Sequence, residues 1–297
     1  MNIPKSKNTV TVCMISYKNE QFIKQAIDSI FMQKVNFDYD LVISNDCSPD
    51  GTDKIIQDYI KNHPKGNKIN YYLQEKNLGH FGNWSFIINK CQGDYVAILE
   101  SDDYWTDENK LQLQYDFLEN NKDYSTVFHD CTVQNDKENT SYPLRMLAKS
   151  NPVLDKHIIG EGGNLCATCS LFFRNYFKEY PAEVRIAKSI ERGLTYFLMT
   201  RGKFWYIDKK MCVYRVHGGG VTSAGVKTRI EYMKSNIELL QFFQTFTNYK
   251  YSKLVKNEIS KMSKNILHFS ISDENHEYFK FLNFPDLVKV RLRKLLK

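Results

Sequence analysis

Glu100, Asp102 and Asp103 fall within four residues of one another, directly after the apolar run Tyr95 to Leu99. Carboxylates at that spacing suit a divalent cation. A site that binds a nucleotide diphosphate through acidic groups needs one, because carboxylate and phosphate repel directly. The same residues have a plainer use, since Asp102 and Asp103 precede a helix-like pattern and acidic side chains there cap helix N-termini. On the cluster alone both readings stand. Two other polar stretches also follow apolar runs: Ser16-Tyr17-Lys18-Asn19-Glu20 and Asn45-Asp46-Cys47-Ser48-Pro49-Asp50-Gly51-Thr52, each rich in short hydrogen-bond acceptors.

The elements that must position these stretches alternate in type. Val10 to Ser16 is apolar and β-branched, and Glu20 to Gln33 carries Phe22, Ile23, Ala26, Ile27, Ile30 and Phe31 at helical spacing. The pair repeats as Leu41–Ser44 with Thr52–Asn62, Tyr71–Leu73 with Trp84–Cys91, and Tyr95–Leu99 with Leu111–Leu118. Such alternation predicts an α/β fold with a mixed, mainly parallel sheet flanked by helices. Ligands bind beyond the carboxyl ends of the strands in such sheets, where the polar stretches lie. From Asp136 to Gly163 the periodicity lapses, which reads as a long surface connection. Order resumes at Cys169 to Arg174, then a helix near Ser189 to Thr200 and a strand pair around Phe204 to Val216. After Gly218-Gly219-Gly220 the pattern is helical, so the expected division is 1–225 and a C-terminal helical extension over 226–297.

No G-x-G-x-x-G follows the first strand and no P-loop motif occurs, which argues against a dinucleotide cofactor or a P-loop cradle. His217-Gly218-Gly219-Gly220 has no nucleophile elbow to accompany it, so esterase chemistry drops out.

From about Val10 to Ser223 the sequence resembles the bacterial-type family 2 glycosyltransferases, which have the Rossmann-like GT-A fold. Val12-Cys13-Met14-Ile15-Ser16-Tyr17-Lys18-Asn19 is similar to the opening strand and its polar turn. Ser44-Asn45-Asp46-Cys47-Ser48-Pro49-Asp50-Gly51-Thr52 looks like the segment whose Asp, here Asp46, recognises the nucleotide base. Gly93 to Trp105 resembles the strand ending in an Asp-x-Asp element, with Glu100 at its first acidic position. The resemblance implies donor binding through Ser16, Tyr17, Glu20, Asp46, Asn77, Glu100, Ser101 and Asp102. It further implies a Mn²⁺ or Mg²⁺ ion on Asp102, Asp103 and His217, the last within the closing segment Tyr214 to Val221. The catalytic base would be Glu191, heading the helix before Gly202-Lys203-Phe204. Thr168, Ser170 and Trp105 would border the acceptor.

The implied reaction is inverting, metal-dependent transfer of a hexosyl or N-acetylhexosaminyl unit from a nucleotide-diphosphate sugar, a UDP-sugar in the first place. The acceptor would be a hydroxyl of a cell-surface polysaccharide or glycoconjugate, lipid-linked or protein-linked. Two other classes share the carboxylates: a nucleotidyltransferase acting on sugar phosphates and a non-catalytic saccharide-binding scaffold of the same fold. The first would normally carry a Gly-rich phosphate loop after the first strand, and Ser16 to Glu20 has no glycine.

Composition sets the remaining bounds. The 297 residues are 42% hydrophobic and 25% charged, enough for a sizeable core. Mean hydropathy is −0.49, no apolar run approaches the roughly 18 residues of a membrane span, and Met1 to Ser16 lacks a secretory pattern. A cytoplasmic protein is expected, peripheral on the inner face of the membrane. Seven cysteines, scattered through apolar segments, predict reduced core thiols. Cys166 and Cys169 have zinc-pair spacing, but no second pair follows. Residues 226–297 hold 14 basic and 7 acidic side chains, whereas 1–225 holds 27 of each. The basic tail ends in Leu287 to Lys297, where cationic and apolar residues would segregate on a helix. It suits an anionic membrane surface better than a nucleic acid, the plainer reading being a helix packed on its own domain.

Overall fold

The computed structural model describes residues 9–144, 150–161, 165–185, 190–217 and 226–272. It divides into two compact units, Met1–Ile186 with Ile190–Gly218, and Ala187–Ser189 with Gly219–Lys297.

In the first unit, β1 (Val10–Ser16), β2 (Tyr39–Asn45), β3 (Ile69–Leu73) and β4 (Tyr95–Ile98) alternate with α1 (Ile23–Phe31), α2 (Thr52–Asn62) and α3 (Gly79–Ile87). After β4 come β5 (Tyr104–Trp105), α4 (Lys110–Asn120), β6 (Tyr124–Asn135), β7 (Thr140–Pro143) and α5 (Asp155–Glu161). A 3-10 turn at Thr168–Ser170 leads into β8 (Phe172–Arg174), followed by α6 (Ala182–Arg185), α7 (Ile190–Met199) and β9 (Lys203–Val216). All nine strands join one sheet in the order β3-β2-β1-β4-β8-β6-β9-β5, with β7 beside β6. The half made of β3, β2, β1 and β4 is parallel, and β8, β6, β9 and β5 continue it in mixed directions.

Both faces of β1 and β2 are covered, so these strands read as nearly continuous apolar runs. Their register sets Ser16 beside Asn45 and Asn45 beside Leu73, which brings three strand exits to one edge. On α1, Ile23, Ala26, Ile27, Ile30 and Phe31 are the buried face that its spacing predicts.

Three features differ from the sequence expectation. β6 has no periodic signal because it is buried on both faces and mixes Ser125, Thr126, His129 and Asp130 with its apolar residues. The expected connection from Asp136 to Gly163 contains β7 and α5. The expected strand pair is the single strand β9, whose polar run Asp208 to Lys210 is a bulge against β6 rather than a turn. Gly202, just before β9, sits where the chain must pass close to β6: a Cβ there would stand 2.7 Å from the Ser125 nitrogen.

The second unit contains α8 (Val226–Phe246) and α9 (Ser252–Ser272), which pack on each other. The rings of Phe243 and Tyr251 stack at 5.6 Å, and Leu240, Val255 and Met262 are buried. The basic segment Leu287 to Lys297 lies outside the described residues. No helix among the described residues is long and apolar enough to cross a membrane.

Candidate active site

The exits of β1 and β2 are tied to each other and to the turn after β4 by short polar side chains. Lys18 and Cys47 both adopt φ 57°, which swings each chain sharply at its strand end. Asn19 Nδ2 donates to Ser101 Oγ at 2.6 Å, and Ser101 Oγ donates to Ser16 Oγ at 2.8 Å. The Asn19 backbone N–H reaches Thr52 Oγ1 at 3.1 Å, and Glu20 Oε2 accepts the Gly51 N–H at 2.6 Å. Ser16, Asn19 and Ser101 are buried, so this web is a rigid floor under the three exits.

Above the floor, the Asp103 N–H closes a tight turn on the Glu100 carbonyl at 3.1 Å. That turn sends consecutive carboxyls in different directions. Asp102 Oδ2 faces His217 Nε2 at 3.1 Å, with 28% of the Asp102 side chain and 16% of the imidazole exposed. The hydrogen bond to Asp102 raises the His217 pKa against the opposing effect of burial. Asp103 turns inward, where its Oδ1 accepts the Arg215 backbone N–H at 2.8 Å. Burial, then the charges of Asp102 and Glu100, push its carboxyl well above the usual range. Glu100 is pushed up to about 8, first by burial and then by Asp102 and Glu191, while the Thr168 hydroxyl bonds it. Its Oε2 is inaccessible and has no hydrogen-bond partner. Crowded carboxyls with raised pKa values beside an open Asp–His pair are a donor set that fits a hard or borderline divalent cation, which would relieve their repulsion.

The other expected site residues divide by placement. Asp46 is buried beside the β1 exit, its N–H on the Ser16 carbonyl at 2.9 Å and its Oδ1 accepting the Leu78 N–H at 2.6 Å. Tyr17, the residue after Ser16, is 42% exposed. Asn77 is exposed and caps its own turn through the Gly79 N–H at 2.9 Å. Glu191 stands in the first turn of α7, near enough to Glu100 for its charge to be felt there. Thr168 joins the cluster through Glu100, but two of its expected companions do not. Ser170 is fully buried, with its hydroxyl on the Ala167 carbonyl at 2.7 Å. Trp105 is 1% exposed, donates Nε1–H to the Cys169 carbonyl at 2.8 Å and lies under the Lys110 ammonium at 4.1 Å. Both are core residues with no surface to offer an acceptor.

Arg215 was given no role by sequence reasoning. Its guanidinium donates to the Asp102 carbonyl at 2.6 Å and to Gln25 Oε1, between the rings of Phe22 at 4.9 Å and Tyr104 at 4.5 Å. The available signal was strand alternation, which puts residue 215 on the same side of its strand as residue 217.

Known proteins share both the sequence pattern and the fold of this chain. The Glycosyl transferase family 2 profile matches residues 11–181, more than half the chain, and the protein belongs to that family. An uncharacterised protein of Mycobacterium tuberculosis is 25% identical over 234 residues, covering 76% of this chain and 64% of its own length. The chain thus spans under two thirds of such relatives. A Bacillus subtilis candidate teichuronic acid biosynthesis glycosyltransferase, TuaG, is 33% identical over 112 residues, 38% of this chain and 42% of that one. Among solved structures, S. aureus TarS 1–349 in complex with UDP-GlcNAc superposes with a TM-score of 0.65 at 16% identity, covering 95% of this chain and 79% of that one. The mannosyltransferase PcManGT of Pyrobaculum calidifontis, in complex with GDP-Man and Mn²⁺, gives 0.57 at 13% identity over 99% and 81%. At these identities the structural likeness establishes the GT-A fold.

Proposed function

We propose that this glycosyltransferase moves a hexosyl or N-acetylhexosaminyl unit, with inversion, from a nucleoside-diphosphate sugar to a hydroxyl of a cell-surface polysaccharide or glycoconjugate. The observation that carries the reading is the Asp102–His217 pair at 3.1 Å beside the crowded Glu100, at the exit of β4. Uridine diphosphate is the favoured nucleotide, supported by the UDP-GlcNAc complex of the TarS neighbour. The Mn²⁺ complex of the mannosyltransferase supports metal dependence, with Mn²⁺ or Mg²⁺ the expected ion.

Asp102 and His217 would hold the cation, which supplies neutralisation of the charge gathering on the diphosphate as it leaves. Asp103, turned onto the Arg215 N–H, would hold the Asp102 turn in place rather than bind the cation. Asp46, with the exposed Tyr17 and Asn77 nearby in sequence to their own strand ends, would receive the base. As the anomeric carbon loses its bond to the diphosphate oxygen, the acceptor oxygen bonds to its opposite face and Glu191 takes the acceptor proton. Residues 226–297 are proposed as a separate extension that brings the enzyme to the inner membrane surface.

The test is release of UDP from a panel of UDP-sugars with and without Mn²⁺. Metal-dependent UDP release is expected, falling about 10²–10³-fold in Asp102→Ala. Release of pyrophosphate would instead mark nucleotidyl transfer and defeat the proposal.

A further inference from the structure

Behind the acidic turn lies a group of thiols that the transfer reaction does not use. Cys131 on β6, Cys169 in the 3-10 turn and Cys212 on β9 are far apart in sequence, yet their Sγ atoms all lie within 4.8 Å of one another. Cys169 and Cys212 are 3.4 Å apart, and strand register sets Cys131 directly beside Cys212. All three are at most 1% exposed. Among the described residues no other group of three His, Cys, Asp or Glu side chains converges this way. A tetrahedral ion with zinc–sulfur bonds of about 2.3 Å holds its sulfurs roughly 3.8 Å apart, within the spread of this triangle.

A second feature points the same way. Lys110 is fully buried, and burial pulls its amine down to about 7 against the opposing effect of Cys212 and Cys169. Its Nζ donates to Gln114 Oε1 at 2.7 Å and lies over the Trp105 ring, both neutral groups. Burial disfavours the ammonium form of such an amine unless negative charge stands beside it. Three thiolates around a divalent ion leave one negative charge, which one ammonium cancels.

We propose that Cys131, Cys169 and Cys212 form a thiolate site for one divalent cation of the zinc type, with Lys110 balancing its residual charge. Three S–H protons pass to solvent as three sulfur–metal bonds form, and nothing is oxidised or reduced. The fourth corner is left to a ligand from outside the chain. The role is structural: the ion would clamp β6, β9 and the 3-10 turn next to Asp103, whose carboxyl feels the Cys169 thiol when no metal is bound. The visible zinc-type spacing, Cys166 with Cys169, supplies only one of these ligands.

The full chain, purified in a non-thiol reductant, is titrated with Co²⁺, whose bonds to thiolate give a charge-transfer absorption that carboxylate and imidazole ligands do not. One equivalent with that absorption is expected, displaced by Zn²⁺, with about one zinc per chain retained after dialysis against chelator. Cys131→Ser, Cys169→Ser or Cys212→Ser should abolish the absorption, whereas Cys91→Ser and Asp102→Ala should keep it. If the serine variants fail to fold, the wild-type spectrum still decides. A folded, reduced wild type that shows no thiolate absorption with excess Co²⁺ overturns the site. So does a native mass lighter by two hydrogens, the mark of a Cys169–Cys212 disulfide.

Discussion

The backbone N–H of Arg215 donates to the Asp103 carboxylate at 2.8 Å, and the same residue's guanidinium donates to the Asp102 carbonyl at 2.6 Å. One residue near the end of β9 thus grips two successive residues of the turn after β4. Asp103 faces inward because of it, and Asp102 is left facing His217. The geometry of the Asp–His pair is therefore set from behind, by the backbone and guanidinium of a residue that is 7% exposed.

Arg215→Met is expected to lower stability by about 1–3 kcal/mol, because it leaves the Asp102 carbonyl and Gln25 without their charged partner. It should also lower kcat for sugar transfer with little change in nucleotide affinity, since the strand exits that flank the base keep their own bonds. Arg215→Lys keeps the charge but not the planar stack between Phe22 and Tyr104, so it should recover only part of the loss. Urea unfolding and steady-state kinetics check both, and a fully active, fully stable Arg215→Met would show that the turn holds itself.

Asp50 links the turns after β1 and β2, accepting from the Glu20 N–H and the Thr52 hydroxyl. Burial pushes its carboxyl up, but hydrogen bonds from the Thr52 hydroxyl and from the Glu20 and Thr52 N–H groups outweigh that and hold it below its ordinary value. A carboxyl with a depressed folded pKa contributes stability that is complete above the unfolded value, near 3.9, and is lost as pH falls through the folded one. Asp50→Ala should therefore cost about 1 kcal/mol at pH 7, in the range of a lost helix cap. The gap to wild type should shrink below pH 4. Urea midpoints at pH 7 and pH 3 measure it; a gap that persists unchanged in acid would mean that the charge is not what ties the two loops.

The parallel half of the sheet was legible because β1, β2 and β4 announce themselves as apolar runs ending in polar turns, and α1 carries its buried stripe at regular spacing. β6 was not, since a strand enclosed on both faces and containing His129 and Asp130 has neither alternation nor a pure apolar run. At the site, sequence marks which stretches converge but not which way each side chain turns. Asp102 and Asp103 are neighbours of one type, and only the turn closed on Glu100 and the grip of Arg215 send them to opposite surroundings. Trp105 shows the same limit: next to the acidic turn it reads as a stacking surface for sugar, yet its indole is sealed against Cys169 and Lys110. The convergence of Cys131, Cys169 and Cys212 depends on strand register, which no spacing in the chain encodes.

Glu191→Gln separates chemistry from binding. Glu191 heads α7 and stands within electrostatic reach of Glu100, where an acceptor hydroxyl would meet it across the donor site. The amide keeps the size and loses the base, so kcat for transfer should fall about 10²–10⁴-fold while UDP affinity and the circular dichroism spectrum stay as in wild type. A variant that retains more than about a tenth of the wild-type rate would take Glu191 out of the proton transfer.

Beyond Pro285 the chain carries Lys289, Arg291, Arg293, Lys294 and Lys297 against the single acid Asp286, with Leu287, Val288, Val290, Leu292, Leu295 and Leu296 between them. Each cation brought to an anionic surface contributes about 1 kcal/mol, enough in sum for reversible binding but not for permanent anchoring. The full chain should sediment with vesicles rich in phosphatidylglycerol and not with neutral ones, and a chain ending at Pro285 should bind several-fold more weakly. Raising salt should release the full chain, because the attraction is screened within about 10 Å at 0.1 M. Equal binding by the two chains would mean that this segment does not carry the enzyme to a membrane.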